Sequence, residues 1–322
     1  MATNESKPVP LDFEQPLLAL AQQIEMLETQ LTSQPELEAD IRNLREQYQV
    51  LRRSIYNKLR PIDHLALARH AQRPYARDYF DRFDKNWIEL HGDRRTADDP
   101  ALVTALLRVG PYKVVGIGTD KGRNLRQKQI CNFGMPQPEG YRKAMRMFEH
   151  AEKFRLPIVT FIDTPGAYPG MTAEEHNQAE AIALNLRVLA SLTVPTVAVI
   201  TGEGGSGGAL AIGLANRILM LEHAVYSVIS PEGCASILWR SADKVATACE
   251  SMKMTAVEIH KIGVVDEVVK EPLGGAHQEY DQIAKTLESA LIKQLDALTR
   301  LSAKQVKQDR LDKYRKIGST VE

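Results

Sequence analysis

Residues 195–213 read PTVAVITGEGGSGGALAIG, which is an apolar strand pattern, a glycine-rich turn and the start of a helix. Two further strand patterns end in similar turns, DTPGAYPG at 163–170 and SPEGC at 230–234. Helix patterns lie at about 138–154, 173–192, 207–215 and 231–240. Because continuous apolar strands alternate with helices, the sequence predicts an α/β domain whose sheet is covered on both faces.

The strand patterns recur along the chain. They are centred near residues 114, 157, 195, 217, 225 and 263. Units of strand, turn and helix follow one another at spacings of about 30 to 37 residues, which indicates a stacked repeat. After GGAH at 274–277, amphipathic patterns predict two long helices at the end of the chain.

Apolar residues at heptad-like spacing predict two helices before the α/β region, one on each side of Pro35. The seam consists of Leu17, Leu20, Ile24, Leu27, Leu31, Leu37, Ile41, Leu44, Tyr48, Leu51 and Ile55. So narrow a seam pairs with another helix, either within a hairpin or in a different subunit. We predict a hairpin over 1–60, a main domain over 61–300 and a helical tail over 301–322. A free-standing coiled coil would need more heptads.

Composition excludes several classes of protein. Lys plus Arg and Asp plus Glu both number 41, so the formal net charge is zero and no global field attracts nucleic acid or a membrane. We predict no membrane span and no secretory signal, because MATNESKPVP at 1–10 has neither the basic nor the apolar region of one. The sequence therefore predicts a cytoplasmic protein. Cys131, Cys234 and Cys249 form no CxxC pair, so we expect no metal site.

Several motifs match the glycine-rich turn at 202–208. Gly202, Gly204 and Gly207 satisfy the dinucleotide-binding pattern GxGxxG, and Glu222 stands where a ribose-binding acid would. Only about eight residues then remain for the crossover helix, which is short for that fold. A P-loop is excluded because no Lys-Ser or Lys-Thr pair follows the glycines.

Two other interpretations of the turn concern acyl or carboxyl chemistry. Gly204, Ser206 and Gly208 satisfy the GxSxG pattern of serine hydrolases, with Asp266 and His277 in a permitted chain order. Alternatively, backbone N–H groups at the start of the helix form an oxyanion hole, for which residues without a Cβ are well suited. Residue patterns alone leave both interpretations open.

Blocks across the chain resemble those of the bacterial and plastid acetyl-CoA carboxylase carboxyltransferase alpha-subunit family. They are FIDTPGAYPG at 161–170, GEGGSGGALAIG at 202–213, YSVISPEGCASILW at 226–239, NFGMPQPEGYRKAMR at 132–146 and EPLGGAH at 271–277. LDFEQP at 11–16 and LARHAQRPYARDY at 67–79 extend the resemblance over nearly the whole chain.

The resemblance implies a crotonase-like (ClpP/crotonase) superhelix of ββα units, with an N-terminal helical hairpin and C-terminal helices. It implies an enzyme subunit that acts with a zinc-ribbon beta subunit, two alpha with two beta, around an active site at their interface. The implied reaction transfers the carboxyl group of carboxybiotin to acetyl-CoA and gives malonyl-CoA, the first committed step of fatty acid synthesis. Carboxybiotin would be carried by the biotin carboxyl carrier protein and supplied by biotin carboxylase. A plastid-encoded chain would work in the stroma.

By resemblance, the amides of Gly207 and Gly208 hold the ureido oxygen of carboxybiotin. The implied carboxybiotin pocket is completed by Gly204, Gly205, Ala209, Pro165, Gly166 and Ala167. The alternative function within this fold is a stand-alone acyl-CoA hydratase or hydrolase, which would place one or two carboxylates over the thioester.

A local basic cluster surrounds KGRNLRQKQ at 121–129. Its candidate contact residues are Lys121, Arg123, Arg126, Lys128 and Arg142. They could meet CoA phosphates, an acidic carrier protein, RNA bound weakly, or solvent alone.

Overall fold

The computed structural model describes residues 11–318. Residues 1–10, where the sequence predicts no secretory signal, and 319–322, the end of the predicted helical tail, lie outside the described residues. One mixed sheet of eight strands forms the centre of the molecule. Its strands are β1 (Ile88–Glu89), β2 (Leu102–Val109), β3 (Tyr112–Thr119), β4 (Ile158–Thr164), β5 (Thr196–Gly205), β6 (Arg217–Leu221), β7 (Val225–Ser227) and β8 (Glu267–Val269).

The sheet has the order β1-β2-β3-β4-β5-β6-β8, and β7 pairs with the end of β5. β1, β2 and β3 are antiparallel neighbours, whereas the pairs from β3 to β8 are parallel. Every residue of β4 and β5 is buried, so both faces of the sheet are covered at its centre. The turns that follow β4 and β5 therefore lie at the same edge of the sheet.

Helices cover the sheet and extend the chain at both ends. They are α1 (Gln15–Gln30), α2 (Leu37–Tyr56), α3 (Pro61–Ala68), α4 (Ala76–Phe83), α5 (Leu125–Ile130), α6 (Pro138–Phe154), α7 (Met171–Glu175), α8 (Gln178–Ser191), α9 (Ser206–Gly213), α10 (Pro231–Trp239), α11 (Val245–Met252), α12 (Ala256–Lys261), α13 (Tyr280–Thr299) and α14 (Ala303–Lys316). No described helix has the length and apolarity needed to cross a bilayer.

The first two helices form the predicted hairpin. α1 and α2 pack on each other, and the predicted seam residues Leu17, Ile24 and Ile41 are buried. The hairpin also joins the main domain, since Arg52 donates a hydrogen bond of 2.7 Å to the carbonyl of Leu273 in the EPLGGAH block. The predicted α/β class, with a helical hairpin at the start and helices at the end, is confirmed.

The strand β2 was not predicted from the sequence pattern. It pairs with β3 along its whole length as an antiparallel hairpin. The two strands are joined by the two-residue turn Gly110–Pro111, in which Gly110 has φ +54°. Two predicted strands are shorter than their apolar patterns: β7 has three residues and β8 has three. Both pair only over these short stretches, because a strand ends where it loses its hydrogen-bonding neighbour.

A fully buried ion pair ties two distant blocks to the end of β5. Arg73 and Glu271 approach to 2.6 Å with no exposed side-chain surface, and Arg73 Nε donates to the carbonyl of Thr201 at 2.5 Å. Burial would raise the pKa of the Glu271 carboxyl, but Arg73 outweighs it and lowers that pKa to about 2. Removing either partner would leave a buried charge unpaired.

Two histidines meet between α3 and the β6–β7 connection. Nδ1 of His64 lies 3.2 Å from Nδ1 of His223, and the ring centroids are 5.0 Å apart. Burial, followed by the neighbouring His223, lowers the pKa of His64 to about 4. Burial also lowers the pKa of His223. The folded chain therefore holds His64 in its neutral form.

We expect the protein to lose stability as the pH falls from about 6.5 towards 4. In this window unfolded His64 binds a proton that folded His64 does not, so its contribution is full above the unfolded pKa and disappears as pH decreases. The loss from His64 is at most about 3 kcal/mol. Urea unfolding at pH 7.5 and pH 5 should show a smaller difference in His64→Asn than in the wild type. His150→Gln is the control, and an unaltered difference in His64→Asn would contradict the prediction.

Candidate active site

The turns after β4 and β5 are in direct contact. A Cβ on Gly205 would lie 2.1 Å from the carbonyl oxygen of Pro165, and one on Gly208 would lie 2.5 Å from the nitrogen of Ala167. Real Cβ atoms do not approach backbone atoms so closely, so any side chain at these positions would force the turns apart. The structure thus brings together the two turns that were predicted to form one pocket.

The helix α9 presents backbone amides at this contact. Its first residue is Ser206, and no side chain caps its N-terminus. The first N–H groups of a helix have no intrahelical acceptor, and they carry the positive end of the helix dipole. Gly207 and Gly208 lie in this turn; Gly207 is half-buried and Gly208 is buried. The arrangement can stabilise a negative oxygen near Gly207.

A mainly apolar cavity of about 340 Å³ opens beside Gly207. It is lined by Ser206, Gly207, Leu210, Tyr226, Ser227, Val228, Ile259, Ile262 and Val264. An apolar pocket with a few convergent polar groups is typical of small-molecule sites. Gly204, Gly205 and Pro165 instead border a separate crevice of about 10 Å³, which is room for roughly one water. Ala209 is the fourth residue of α9 and is buried.

A chain of alternating charges lies behind the glycine turn. Lys121 Nζ is 2.6 Å from Asp163 and 3.0 Å from Glu203, and Arg69 Nε is 2.8 Å from the other oxygen of Glu203. Arg69 also pairs with Glu232 at the start of α10. Burial alone would raise the pKa of the Glu203 carboxyl, but Lys121 and Arg69 outweigh it and the pKa lies below its ordinary value. Glu203 is therefore held as a carboxylate immediately before Gly204.

The backbone of the turn belongs to the same arrangement. The amide of Glu203 donates to Asp163 Oδ1 at 2.9 Å, and a Cβ on Gly202 would fall 2.3 Å from that atom. Asp163 and Arg69 were not among the predicted site residues. The position of Asp163 at the end of an apolar strand pattern could have indicated a site residue. No feature of the sequence indicated Arg69.

The predicted basic cluster does not form one exposed surface. The Lys121 side chain is only 14% exposed and bound as described, and Arg142 is buried between Asp93 and Glu139 at 2.9 and 2.7 Å. Arg123 pairs with Asp78 and lies over the ring of Tyr75. The fold pairs Lys121 and Arg142 with carboxylates that are distant in sequence, and the contact of these residues with CoA phosphates, a carrier protein or RNA stays a prediction.

Arg126 and Lys128 are the remaining members of that cluster. Arg126 is exposed and Lys128 is half-buried on α5. Neither forms an ion pair within residues 11–318 as described. Two residues on one short helix do not make an RNA-binding surface, so no RNA-binding role is proposed.

The serine-hydrolase interpretation finds no triad. Ser206 is exposed with φ +52°, as at a strained strand-to-helix turn. However, Asp266 lies at the opposite edge of the sheet, where it accepts from the amide of Ile218 and pairs with Lys313. His277 stacks on His70 with ring centroids 3.8 Å apart. The exposed hydroxyl therefore lacks the aspartate that the motif would need.

The dinucleotide interpretation also fails on geometry. α9 has only eight residues, and Glu222 is bound to Lys270 at 2.5 Å and to the amide of Glu271 at 3.2 Å. Across the described part of the chain, no group of three or more His, Cys, Asp or Glu side chains could hold a metal ion.

The parallel strands that end in turns beginning helices, with helix amides beside an apolar cavity, belong to a fold of the crotonase-like class. Solved transcarboxylase and malonate decarboxylase chains share this fold. Transcarboxylase 12S has a TM-score of 0.53 and 22% identity over 66% of this chain, although the match spans only 41% of the transcarboxylase chain. A chain of a Pseudomonas malonate decarboxylase hetero-tetramer has a TM-score of 0.59 and 15% identity, over 73% of this chain and 92% of its own.

Sequence relatives are much closer. The family described as "Acetyl co-enzyme A carboxylase carboxyltransferase-like" matches residues 10–318. Acetyl-coenzyme A carboxylase carboxyl transferase subunit alpha of Geobacter metallireducens is 48% identical over 97% of this chain and 98% of its own. The subunit of Trichormus variabilis is 47% identical over 99% and 98%. The chain belongs to the acetyl-CoA carboxylase carboxyltransferase alpha-subunit family, and the resemblance found in its sequence is confirmed.

Proposed function

We propose that this chain is the alpha half of a carboxyltransferase that passes the carboxyl group of carboxybiotin to acetyl-CoA and so forms malonyl-CoA. The observation that carries the proposal is the uncapped N-terminus of α9, whose half-buried Gly207 borders an apolar cavity. The family supports the same reaction, because its members are named as alpha subunits of that carboxyltransferase.

Both halves of the reaction place negative charge on a carbonyl oxygen. Carboxybiotin supplies the carboxyl group when its carrier brings it to the site. The amides of Gly207 and Gly208 would donate to its ureido oxygen, and the loss of one such donor typically costs about 2.7 to 4 kcal/mol in the transition state. The cavity beside Gly207 suits the group, since a mainly apolar ring system with one polar edge matches its lining.

We assign Glu203 a positioning role. The hydratase alternative requires a carboxylate that can exchange protons with the substrate. Glu203 is instead fixed between Lys121 and Arg69 and is buried in β5. Its two ion pairs hold the strand end from which the glycine turn departs, so they support an amide-based mechanism.

The active site is proposed to lie where a beta subunit covers this chain. Alpha-subunit membership implies such a partner, and exposed apolar side chains flank the cavity, namely Leu210, Val228 and Ile262. We further propose that the beta subunit carries a zinc ribbon and holds acetyl-CoA, and that the assembly contains two copies of each. Biotin carboxyl carrier protein and biotin carboxylase would complete the complex in the cytoplasm.

The test is reconstitution with the beta subunit encoded by the same genome. Malonyl-CoA-dependent carboxylation of free biotin should appear only when both chains are present. The chain alone should neither hydrate enoyl-CoA nor hydrolyse acyl-CoA. Turnover of either substrate by the single chain, with no biotin carboxylation by the pair, would establish the stand-alone alternative instead.

A further inference from the structure

The hydroxyl of Tyr141 lies behind the glycine turn without a hydrogen-bond partner. Tyr141 is on α6, is 0% exposed, and its hydroxyl oxygen has no partner among the described residues. That oxygen lies 2.9 Å from the position that a Cβ on Gly208 would occupy. It therefore sits directly against the backbone that begins α9.

An orphaned hydroxyl at this depth is unfavourable for the free chain. A buried donor without an acceptor loses its hydration and gains nothing in return, and such groups are rare in folded proteins. The other buried residues on this face of α6 include Ala144, Met147 and Phe148. A phenylalanine would fill the same volume without the penalty, so a hydrogen bond that forms during the reaction would give the Tyr141 hydroxyl a role.

The backbone amide of Ala167 is a second donor without an acceptor, and it lies beside the same Cβ position on Gly208. The nitrogen of Ala167 lies 2.5 Å from the Cβ position on Gly208, and the carbonyl carbon of Gly166 lies 2.6 Å from it. Within the described residues, the Ala167 amide donates to no acceptor. The Gly166 carbonyl accepts from Thr164 Oγ1 at 2.7 Å and retains a second lone pair.

We propose that Tyr141 is a positioning residue for carboxyl transfer, whose hydroxyl donates to the Gly166 carbonyl as negative charge develops on the ureido oxygen. The proposal rests on the proposed function. This bond would hold the turn at 165–167 in its contact with Gly208 and keep the amides of Gly207 and Gly208 on the oxygen that becomes negative. Because this hydrogen bond forms only as charge develops on the ureido oxygen, its loss lowers kcat and leaves substrate binding unchanged.

The test is Tyr141→Phe in the assembled alpha–beta complex. We expect kcat for malonyl-CoA-dependent carboxylation of free biotin to fall about 10-fold, with the KM for either substrate changed less than about 2-fold. The temperature of half-unfolding should stay the same or rise, because the variant loses an unsatisfied buried hydroxyl. A residue with a purely structural role would not give lower turnover together with equal or greater stability.

Tyr79→Phe is the matched control. Tyr79 is 1% exposed, its hydroxyl is also buried without a partner, and its ring stacks on Phe161 at 5.7 Å. The same atom is removed, so stability should respond similarly while kcat stays at the wild-type value. The inference is overturned if Tyr141→Phe keeps wild-type kcat, if its kcat falls only with its stability, or if Tyr79→Phe loses equal activity. Absence of transfer in the wild-type complex would overturn the proposed function instead.

Discussion

Replacing Gly208 with valine should reduce kcat for carboxyl transfer by about 100-fold to 1,000-fold, the cost of losing a donor to an oxyanion. A Cβ at this position would lie 2.5 Å from the Ala167 nitrogen, 2.6 Å from the Gly166 carbon and 2.9 Å from the Tyr141 hydroxyl. The first two are backbone atoms, so relief requires the two turns to separate. The amides would then no longer converge on one oxygen.

The neighbouring glycine provides the steric control. A Cβ on Gly207 would meet only side-chain carbons of Ile182, at 3.8 and 3.9 Å, which is ordinary van der Waals contact. Gly207→Ala should therefore fold with wild-type stability, whereas Gly208→Ala should already be impaired in both stability and kcat. Thermal unfolding and steady-state kinetics of the reconstituted complex measure both effects. Wild-type kinetics in Gly208→Ala would show that the close approach of the turns has no role.

Ser206→Ala separates the amide mechanism from a nucleophilic serine. Ser206 is exposed, and Asp266 of the hydrolase motif is bound at the other edge of the sheet. We expect this variant to retain carboxyl transfer within a few-fold of the wild type. A loss as large as that of Gly208→Val would mean that the hydroxyl itself reacts.

Lys121→Met should lower the free energy of unfolding by about 3 to 5 kcal/mol, the usual cost of breaking a buried ion pair from one side. Lys121 lies between Asp163 and Glu203, and their charges raise its pKa above the ordinary value although burial opposes this. Methionine keeps most of the volume but leaves both carboxylates without their shared cation. Activity should also fall, since these carboxylates hold the end of β5.

The control is Lys128→Met, in the same basic stretch of the sequence. Lys128 forms no ion pair with any described residue, so the free energy of unfolding should change by less than about 0.5 kcal/mol. Urea unfolding measures the stability of the two variants. The KM for malonyl-CoA in the reconstituted complex shows whether Lys121 also contributes to binding. Wild-type stability of Lys121→Met combined with a higher KM would support the earlier expectation that Lys121 binds CoA phosphates.

The local alternation of strands and helices was readable from the sequence. α6 begins and ends at the residues predicted, 138 and 154, because a proline at its first position and a strong amphipathic pattern mark it. The contact between the turns at 163–170 and 202–208 followed from the resemblance, and the geometry brings them together. β2 was not predicted because its hydrogen-bonded pairing with β3 is not visible in an apolar pattern alone. The two strands are joined by Gly110 and Pro111.

The sequence by itself determined the fold class, the family and the glycine turn, because apolar periodicity and residues without a Cβ act over short distances along the chain. Only the tertiary structure decided that Lys121 lies between Asp163 and Glu203 and neutralises them. It also decided that the Tyr141 hydroxyl meets Gly208. Charge compensation and close packing join residues far apart in sequence, so they depend on how the strands and helices are arranged in space.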